Sequence, residues 1–323
     1  MLLLLNCSMP EANSGSATPL QNLPAADAVR LSALACLEEI DSILPLPGGI
    51  TNRNYRARGA KGDFVIRVSD PDSSILAIDR INELRNSLAA AYAGIGAPVV
   101  DFLPDAGLLV VGWIESRTLQ DSDIGDPVML GRIAGACRQL HAGPRFASGF
   151  NMFDIQARYL HLVQTNGWRL PAGYLDFMPQ VQRMQSAFAA RPEPTVPCHN
   201  DLLAANFLDD GTRIWIIDYE FSGNNEPSFE LGNIWSEATL SPDLLDVLVD
   251  AYWGEHLAEK IARARLWGLM SKYGWMLWAS IQEAISQIDF DYWSWGMEKY
   301  ERAAAEFTGA EYPRLLAQVA GRD

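Results

Sequence analysis

Lysine is the scarcest charged residue of this chain. Only Lys61, Lys260, Lys272 and Lys299 occur in 323 residues, so an anionic ligand must be held by arginine, by a metal ion or by backbone N–H groups. Basic charge is short overall, with 25 Lys and Arg against 40 Asp and Glu and a formal net charge of −15. Neutralising a phosphate backbone takes a clustered surplus of basic side chains, which argues against a nucleic-acid partner. Cysteine is sparse too. Cys7, Cys36, Cys137 and Cys198 are scattered without a C-x-x-C spacing, so neither a zinc site nor a disulfide framework is expected, and a reducing cytoplasm is the default location. No apolar run approaches the ~20 residues that span a bilayer, and no membrane insertion is expected. The opening Met1-Leu2-Leu3-Leu4-Leu5-Asn6-Cys7 superficially suggests a leader, but it has no basic n-region and its apolar stretch is short. Residues 1–24 read as a disordered or loosely attached tail rich in Asn, Ser, Ala and Pro.

What is present is an ordinary globular composition, 49% apolar and 20% charged, enough to bury one large core or two lobes. Ala25 to Ile40 carries helical apolar spacing and reads as a first helix ended by Pro45 and Pro47. Strand patterns follow at Asn54–Arg58 and Phe64–Val68, a helix at Ser73–Ala93, and strands at Val99–Leu103 and Leu108–Ile114. After Arg117 the pattern turns to long helices, one of them opened by Asp126 as N-cap with Pro127 at the first helical position. Short strands are expected at Thr195–Cys198 and Arg213–Ile217, and the chain from Asn233 onward reads as helical. The fold class expected is α+β and bilobal, protein-kinase-like: an antiparallel N-lobe over 25–114 that binds nucleotide, and a larger, mainly helical C-lobe over 115–323.

The chemistry sits at the strand ends of the C-lobe. His199-Asn200-Asp201-Leu202-Leu203-Ala204-Ala205-Asn206 has the form H-x-D-x-x-x-x-N, and Asp218 follows at the end of the next apolar strand. Phosphoryl transfer needs these parts: a carboxylate to accept a hydroxyl proton, and an Asn and an Asp to hold Mg²⁺ on nucleotide phosphates. The chain therefore reads as a kinase-fold phosphotransferase with Asp201, Asn206 and Asp218 as its catalytic residues. His199 is read as a loop-holding hydrogen-bonding group. Glu220 could reach a second Mg²⁺ or be a paired or solvated acid.

The N-terminal half supplies the rest. Gly48-Gly49-Ile50-Thr51-Asn52 can close backbone N–H groups over phosphates, with Gly49, Thr51 and Asn52 as the candidates, although a Gly-Gly turn also serves as a plain hairpin. Where a kinase sets a strand Lys against a helix Glu, this chain has Arg67 with Glu83. Lys61 lies too early in its turn to serve. The strand end at Val111–Glu115, with Trp113 and Ile114, reads as the hinge whose backbone meets adenine. Asp218-Tyr219-Glu220 replaces Asp-Phe-Gly, no Ala-Pro-Glu follows, and the stretch before the helix near Phe229 is too short for a peptide-docking loop. A small alcohol is the better acceptor.

At these residues the sequence resembles the choline/ethanolamine kinases. The likeness rests on Cys198-His199-Asn200-Asp201, Ile217-Asp218-Tyr219-Glu220-Phe221-Ser222-Gly223, Phe229-Glu230-Leu231-Gly232-Asn233 and Gly48–Tyr55, with an Arg in the third-strand position, and covers roughly residues 30 to 305. The resemblance implies that Asp201 is the base, that Asn206 and Asp218 are metal ligands, and that Arg67 contacts ATP phosphates. It also places Glu237 near the choline headgroup and matches Trp275-Met276-Leu277-Trp278 to the family's W-x-x-W pair. Phe290 and Trp295 fall at two further aromatic positions of the pocket, the second being more usually Tyr. Ala238-Thr239-Leu240-Ser241-Pro242 departs from the aromatic run of eukaryotic members.

Seven of the ten tryptophans lie in the last third of the chain. Trp275 and Trp278 are three apart on one helix and face the same way, which suits helix packing as well as a ligand cage. A quaternary ammonium has no hydrogen-bond donor, so recognising it takes aromatic faces and a nearby carboxylate. The function expected is ATP-dependent, Mg²⁺-assisted phosphorylation of choline, with Trp275, Trp278, Trp295 and Glu237 receiving the trimethylammonium. Ethanolamine or an aminoglycoside on the same fold are the alternatives, and a choline-binding pseudokinase is the alternative from another class. The partners expected are these small molecules, and a homodimer is compatible with the sequence.

Overall fold

The computed structural model describes residues 20–47, 49, 51–60, 62–69 and 75–321. Most of the expected tail, Gly48 and Ile50 of the glycine turn, Lys61 and the first residues of the expected 73–93 helix lie outside them. The N-terminal part is a five-stranded antiparallel sheet with one inserted helix. Helix α1 (Ala25–Leu31) is shorter than its apolar spacing predicts. The chain turns extended at Leu34, and a single 3-10 turn leads into β1 (Ile40–Leu46). Leu31 and Leu34 are both buried in the core under the sheet, so the helical spacing reports burial that continues past the helix end. Pro45 does not stop a helix; it lies inside β1, which is an edge strand, where a missing N–H can be tolerated.

Strands β2 (Arg53–Gly59) and β3 (Gly62–Val68) form the expected hairpin. The following helix, α2 (Arg80–Tyr92), begins later than expected because Asp79 caps it, its carboxylate accepting from the N–H groups of Ile81 and Asn82. Strands β4 (Val99–Leu103) and β5 (Leu108–Gly112) complete the order β1-β2-β3-β5-β4.

The rest is mainly helical. Strand β6 (Arg117–Thr118) and the short α3 (Asp121–Ile124) precede α4 (Pro127–His141), whose N-cap is Asp126, as its sequence predicts. Helices α5 (Met152–Thr165) and α6 (Met178–Ala190) follow. Strands β7 (Val196–Cys198) and β10 (Gly223–Asn225) pair with each other, while β8 (Phe207–Asp209) and β9 (Ile214–Ile216) form a small sheet with β6. Then come α7 (Pro227–Glu237), α8 (Pro242–Trp253), α9 (Ala258–Ile285), α10 (Tyr292–Thr308) and α11 (Glu311–Ala320).

Helix α9 is the axis of this part, buried on nearly every side from Ala262 to Gln282. It crosses α7 at Gly232 and Gly268, where a Cβ on either glycine would strike the other helix's backbone. That close approach brings α7 against the strand-end loops. Each of the three described lysines pairs with a glutamate and lies over an indole: Lys260 with Glu193 and Trp253, Lys272 with Glu306 and Trp235, Lys299 with Glu237 and Trp295. These three lysines are thus spent inside the helical part. Among the described residues no helix is long and apolar enough to cross a membrane.

Candidate active site

The loop after β7 is held from behind. Buried Glu230 on α7 accepts the backbone N–H of His199 at 2.7 Å and of Asn200 at 2.8 Å, and Asn233 accepts that of Leu202 at 2.7 Å. Burial by itself would push the Glu230 carboxyl up, but hydrogen bonding and charge from His141, with the His199 region, hold it below its ordinary value. His199 is fully buried and locks the loop to the next strand: Nε2 lies 2.8 Å from the Ile217 carbonyl, and Nδ1 accepts the N–H of Asp201. Two non-glycine residues here adopt the left-handed backbone, Asn200 at φ 68° and Asp218 at φ 70°. Such conformations persist where surroundings over-determine them, and the Asn200 amide does so by bonding the carbonyls of Cys198 and Phe221. Sequence reasoning did not find Glu230 and Asn233 as clamps. Their type and spacing were visible, but what they hold lies 30 or so residues away in sequence and is set by the α7–α9 crossing.

The clamped loop presents Asp201 with its carboxylate bonded to no described residue. Its carboxyl is pushed well above the usual range by burial first, then by the charges of Glu237, Asp218 and Glu220, with Lys299 opposing. The Asn206 side-chain NH₂ donates to the Asp201 carbonyl at 2.8 Å, which leaves the amide oxygen as its free acceptor. Asp218 is about one-third exposed at the side chain, and its Oδ1 lies 2.8 Å from Arg67 Nη1. Arg67 also pairs with Glu83, so the strand arginine, the helix glutamate and the strand-end aspartate form one chain of charges. A hard cation takes oxygen ligands from carboxylate and amide groups. The Asn206 amide oxygen and the Asp218 carboxylate are such donors facing one cavity, and this donor set fits Mg²⁺.

Two cavities meet at these residues. The larger, about 330 Å³, runs under the sheet between β3, β5 and the Leu208–Asp218 region; Arg67, Glu83, Trp113 and Ile114 line it. The smaller, about 90 Å³, contains Asp201, Phe221, Trp275, Trp278 and Trp295. Gly49, Asn54, Ala205, Asn206 and Asp218 line both. A Cβ on Gly49 would collide with the Asn52 carbonyl, so glycine is what lets this turn close.

Five expected site residues sit differently from their sequence reading. Thr51 and Asn52 line the smaller cavity only, together with Asp201. Glu220 has its Oε2 engaged by Asn52 Nδ2 at 2.9 Å and Arg80 Nη1 at 3.0 Å, and so is a paired acid. Arg80 itself, absent from the sequence reading, ties Glu220 to Glu83 and Asn52. Glu237 lines neither cavity and pairs with Lys299. Phe290 also lies outside the cavity lining and packs edge-on against Tyr292, which in turn meets Trp278.

The tryptophans divide between core and cavity. Trp267 bonds Glu226 and stacks on Phe188 in the core. Trp275 meets Phe221 edge-on at 5.0 Å and Trp278 meets Trp295 at 5.5 Å. The indole N–H groups of Trp275 and Trp278 are buried without a hydrogen-bond partner. The three indoles give this end of the cavity its π faces, which suit a cation that has no N–H to donate, while Asp201, Asp218 and Glu220 line the rest of it.

Comparisons with known proteins bear on the family and the fold. The choline/ethanolamine kinase family model matches residues 43–246. The LicA protein of Haemophilus influenzae is 28% identical over 261 residues, 76% of this chain and 75% of its own. A crystal structure of a choline/ethanolamine kinase family protein from Mesorhizobium loti superposes with a TM-score of 0.80 at 31% identity, covering 91% of this chain and 99% of that one. Choline kinase LicA from Streptococcus pneumoniae, at 23% identity and a TM-score of 0.73 over 90% of this chain and 98% of that one, shares the fold.

Proposed function

The chain belongs to the choline/ethanolamine kinase family and is a phosphotransferase with an alcohol acceptor, and from that premise we propose that it transfers the γ-phosphoryl group of ATP to the hydroxyl of choline. The observation that carries the reading is the junction of the two cavities: Asp201 stands among three indoles on one side, and Asn206 and Asp218 open onto the nucleotide-sized space on the other. On this reading residues 25–114 are the nucleotide-binding lobe and 115–323 the acceptor lobe.

In the proposed mechanism, adenine enters the apolar slot beside Trp113 and Ile114, and Arg67 offsets charge on the phosphates. Mg²⁺ bound by Asn206 and Asp218 would neutralise the phosphate oxygens as charge develops on them. The indoles of Trp275, Trp278 and Trp295 take the trimethylammonium, each desolvated cation–π contact being worth on the order of 2 kcal/mol. That places the hydroxyl toward Asp201, whose raised pKa makes it a stronger base than an exposed carboxylate. Asp201 orients the hydroxyl and takes its proton as the oxygen attacks phosphorus in line. Clamping by Glu230 and Asn233 supports this, because a base held within a fraction of an ångström of its working position needs no reorganisation during the reaction.

The test is ADP release from Mg-ATP across choline, ethanolamine, the two intermediate methylated amino alcohols and kanamycin. Turnover that is highest with choline and falls with each methyl group removed supports the reading. Turnover with kanamycin alone, or with none of the five, overturns it.

A further inference from the structure

Glu237 at the end of α7 and Lys299 on α10 form an ion pair in which both side chains are nearly sealed, at 3% and 4% exposure. Lys299 Nζ also lies 4.1 Å from the centroid of the Trp295 ring, one helical turn earlier on α10. Trp295 is at the same time a wall of the indole cavity and touches Trp278. Lys299 therefore already makes the two contacts that an ammonium ligand would seek, an aromatic face and a carboxylate. The second Glu237 oxygen, Oε1, is buried without a hydrogen-bond partner, so a substrate N–H has no open path to it in this arrangement.

We propose that Lys299 is a specificity-determining residue: by neutralising Glu237 and covering one face of Trp295, it denies a primary ammonium the carboxylate behind the indoles and leaves that wall of the cavity to recognise its cation by π faces, Asp201 facing the acceptor hydroxyl and Glu220 and Asp218 being held by Arg80 and Arg67, which selects a quaternary ammonium over a primary one. The inference rests on the reading of the indole cavity as the acceptor's ammonium site. A primary ammonium carries three N–H donors that lose water on entering and need acceptors, whereas a quaternary ammonium carries none and loses little. A free ionised Glu237 would serve the first and erase the difference. Lys299 acts through Glu237 and Trp295 and does not itself line the cavity. Two other Lys-Glu-Trp clusters recur with no residue in the lining of either cavity, so a purely structural role makes a distinct prediction: stability changes with no change in preference.

The experiment uses the full chain and its Lys299→Met, Lys299→Arg and Lys299→Met/Glu237→Gln variants. Tryptophan-fluorescence titrations and kcat/KM are measured with choline and with ethanolamine. Lys299→Met should lower the choline-over-ethanolamine ratio by about tenfold, mainly through tighter ethanolamine binding. Lys299→Arg keeps the cation and should keep the ratio. The double variant removes both charges together and should restore the preference for choline; if the single variant fails to fold, the double variant carries the test. An unchanged ratio in Lys299→Met, or loss of choline preference in the double variant, overturns the inference while leaving the proposed activity standing. Choline binding with the expected ratios but no turnover would overturn the activity and sustain the inference, and a protein that binds neither cation overturns both.

Discussion

Arg67 Nη1 lies 2.8 Å from Oδ1 of Asp218 although the two residues are 151 positions apart, joining the sheet of the N-terminal part to the strand-end loop below it. The same guanidinium pairs with Glu83. One arginine thus positions a carboxylate expected to hold metal and ties it to the helix above. A lysine has one point charge and cannot span two carboxylates with a planar fork. Arg67→Lys is expected to raise the KM for ATP about tenfold or more and to lower the thermal midpoint by a few degrees. Steady-state kinetics at saturating choline, with a melting curve, checks this; an unchanged KM for ATP would count against the role.

Asp201→Asn keeps shape and removes the base. We expect kcat to fall by about 10² to 10⁴ while the dissociation constants for nucleotide and choline change little. Single-turnover measurements separate these, and near-normal turnover would sink the mechanism.

Trp278→Ala removes one wall of the cavity. Loss of one desolvated cation–π contact of about 2 kcal/mol corresponds to a rise of roughly 30-fold in the KM for choline, with the KM for ATP almost unchanged. Matching rises in both would mean that the indole supports the fold of the site and not the acceptor.

The raised pKa of Asp201 fixes the direction of the acid limb. The base must be ionised to work, so activity is lost as pH falls through a value above the ordinary carboxylate figure of 3.8. The profile of kcat/KM for choline, measured with ATP saturating, should show that limb displaced upward, and Asp201→Asn should abolish it.

Glu230 acts in the opposite sense on stability. Its folded pKa lies below the ordinary 4.5, so its contribution is fully present above that value and disappears as pH falls through the lowered one. Glu230→Gln leaves one oxygen for two backbone N–H groups and is expected to cost about 1–3 kcal/mol at neutral pH and to depress kcat by freeing the loop. Chemical denaturation of both proteins at pH 7 and near pH 4 tests it, since the gap should narrow on acidification.

The elements legible in the sequence were those with local causes. The Asp126-Pro127 helix start, the β2–β3 hairpin and the two strands before the helical part all follow from capping and alternation, which act over a few residues. The limits of α1 and α2 were misjudged. Leu34 keeps helical spacing without a helix, and Asp79 caps α2 six residues after the start at Ser73 that the pattern suggests. The H-x-D-x-x-x-x-N run and Asp218 marked the groups proposed to react, because phosphoryl transfer restricts which side chains can serve.

The sequence by itself determined the class of chemistry and the residue types proposed to carry it: a carboxylate as base, an amide and a carboxylate for a metal, and an arginine where lysine is scarce. Only the tertiary structure decided which of the acids are free. Glu220 is taken by Asn52 and Arg80, Glu230 by two backbone N–H groups and Glu237 by Lys299, while Asp201 keeps its carboxylate open to the cavity. The physical reason is that a carboxylate's availability depends on which donors reach it in space. Those donors come from the loop after β7, α2, α10 and the turn after β1, segments whose distance along the chain carries no information about their distance in the fold.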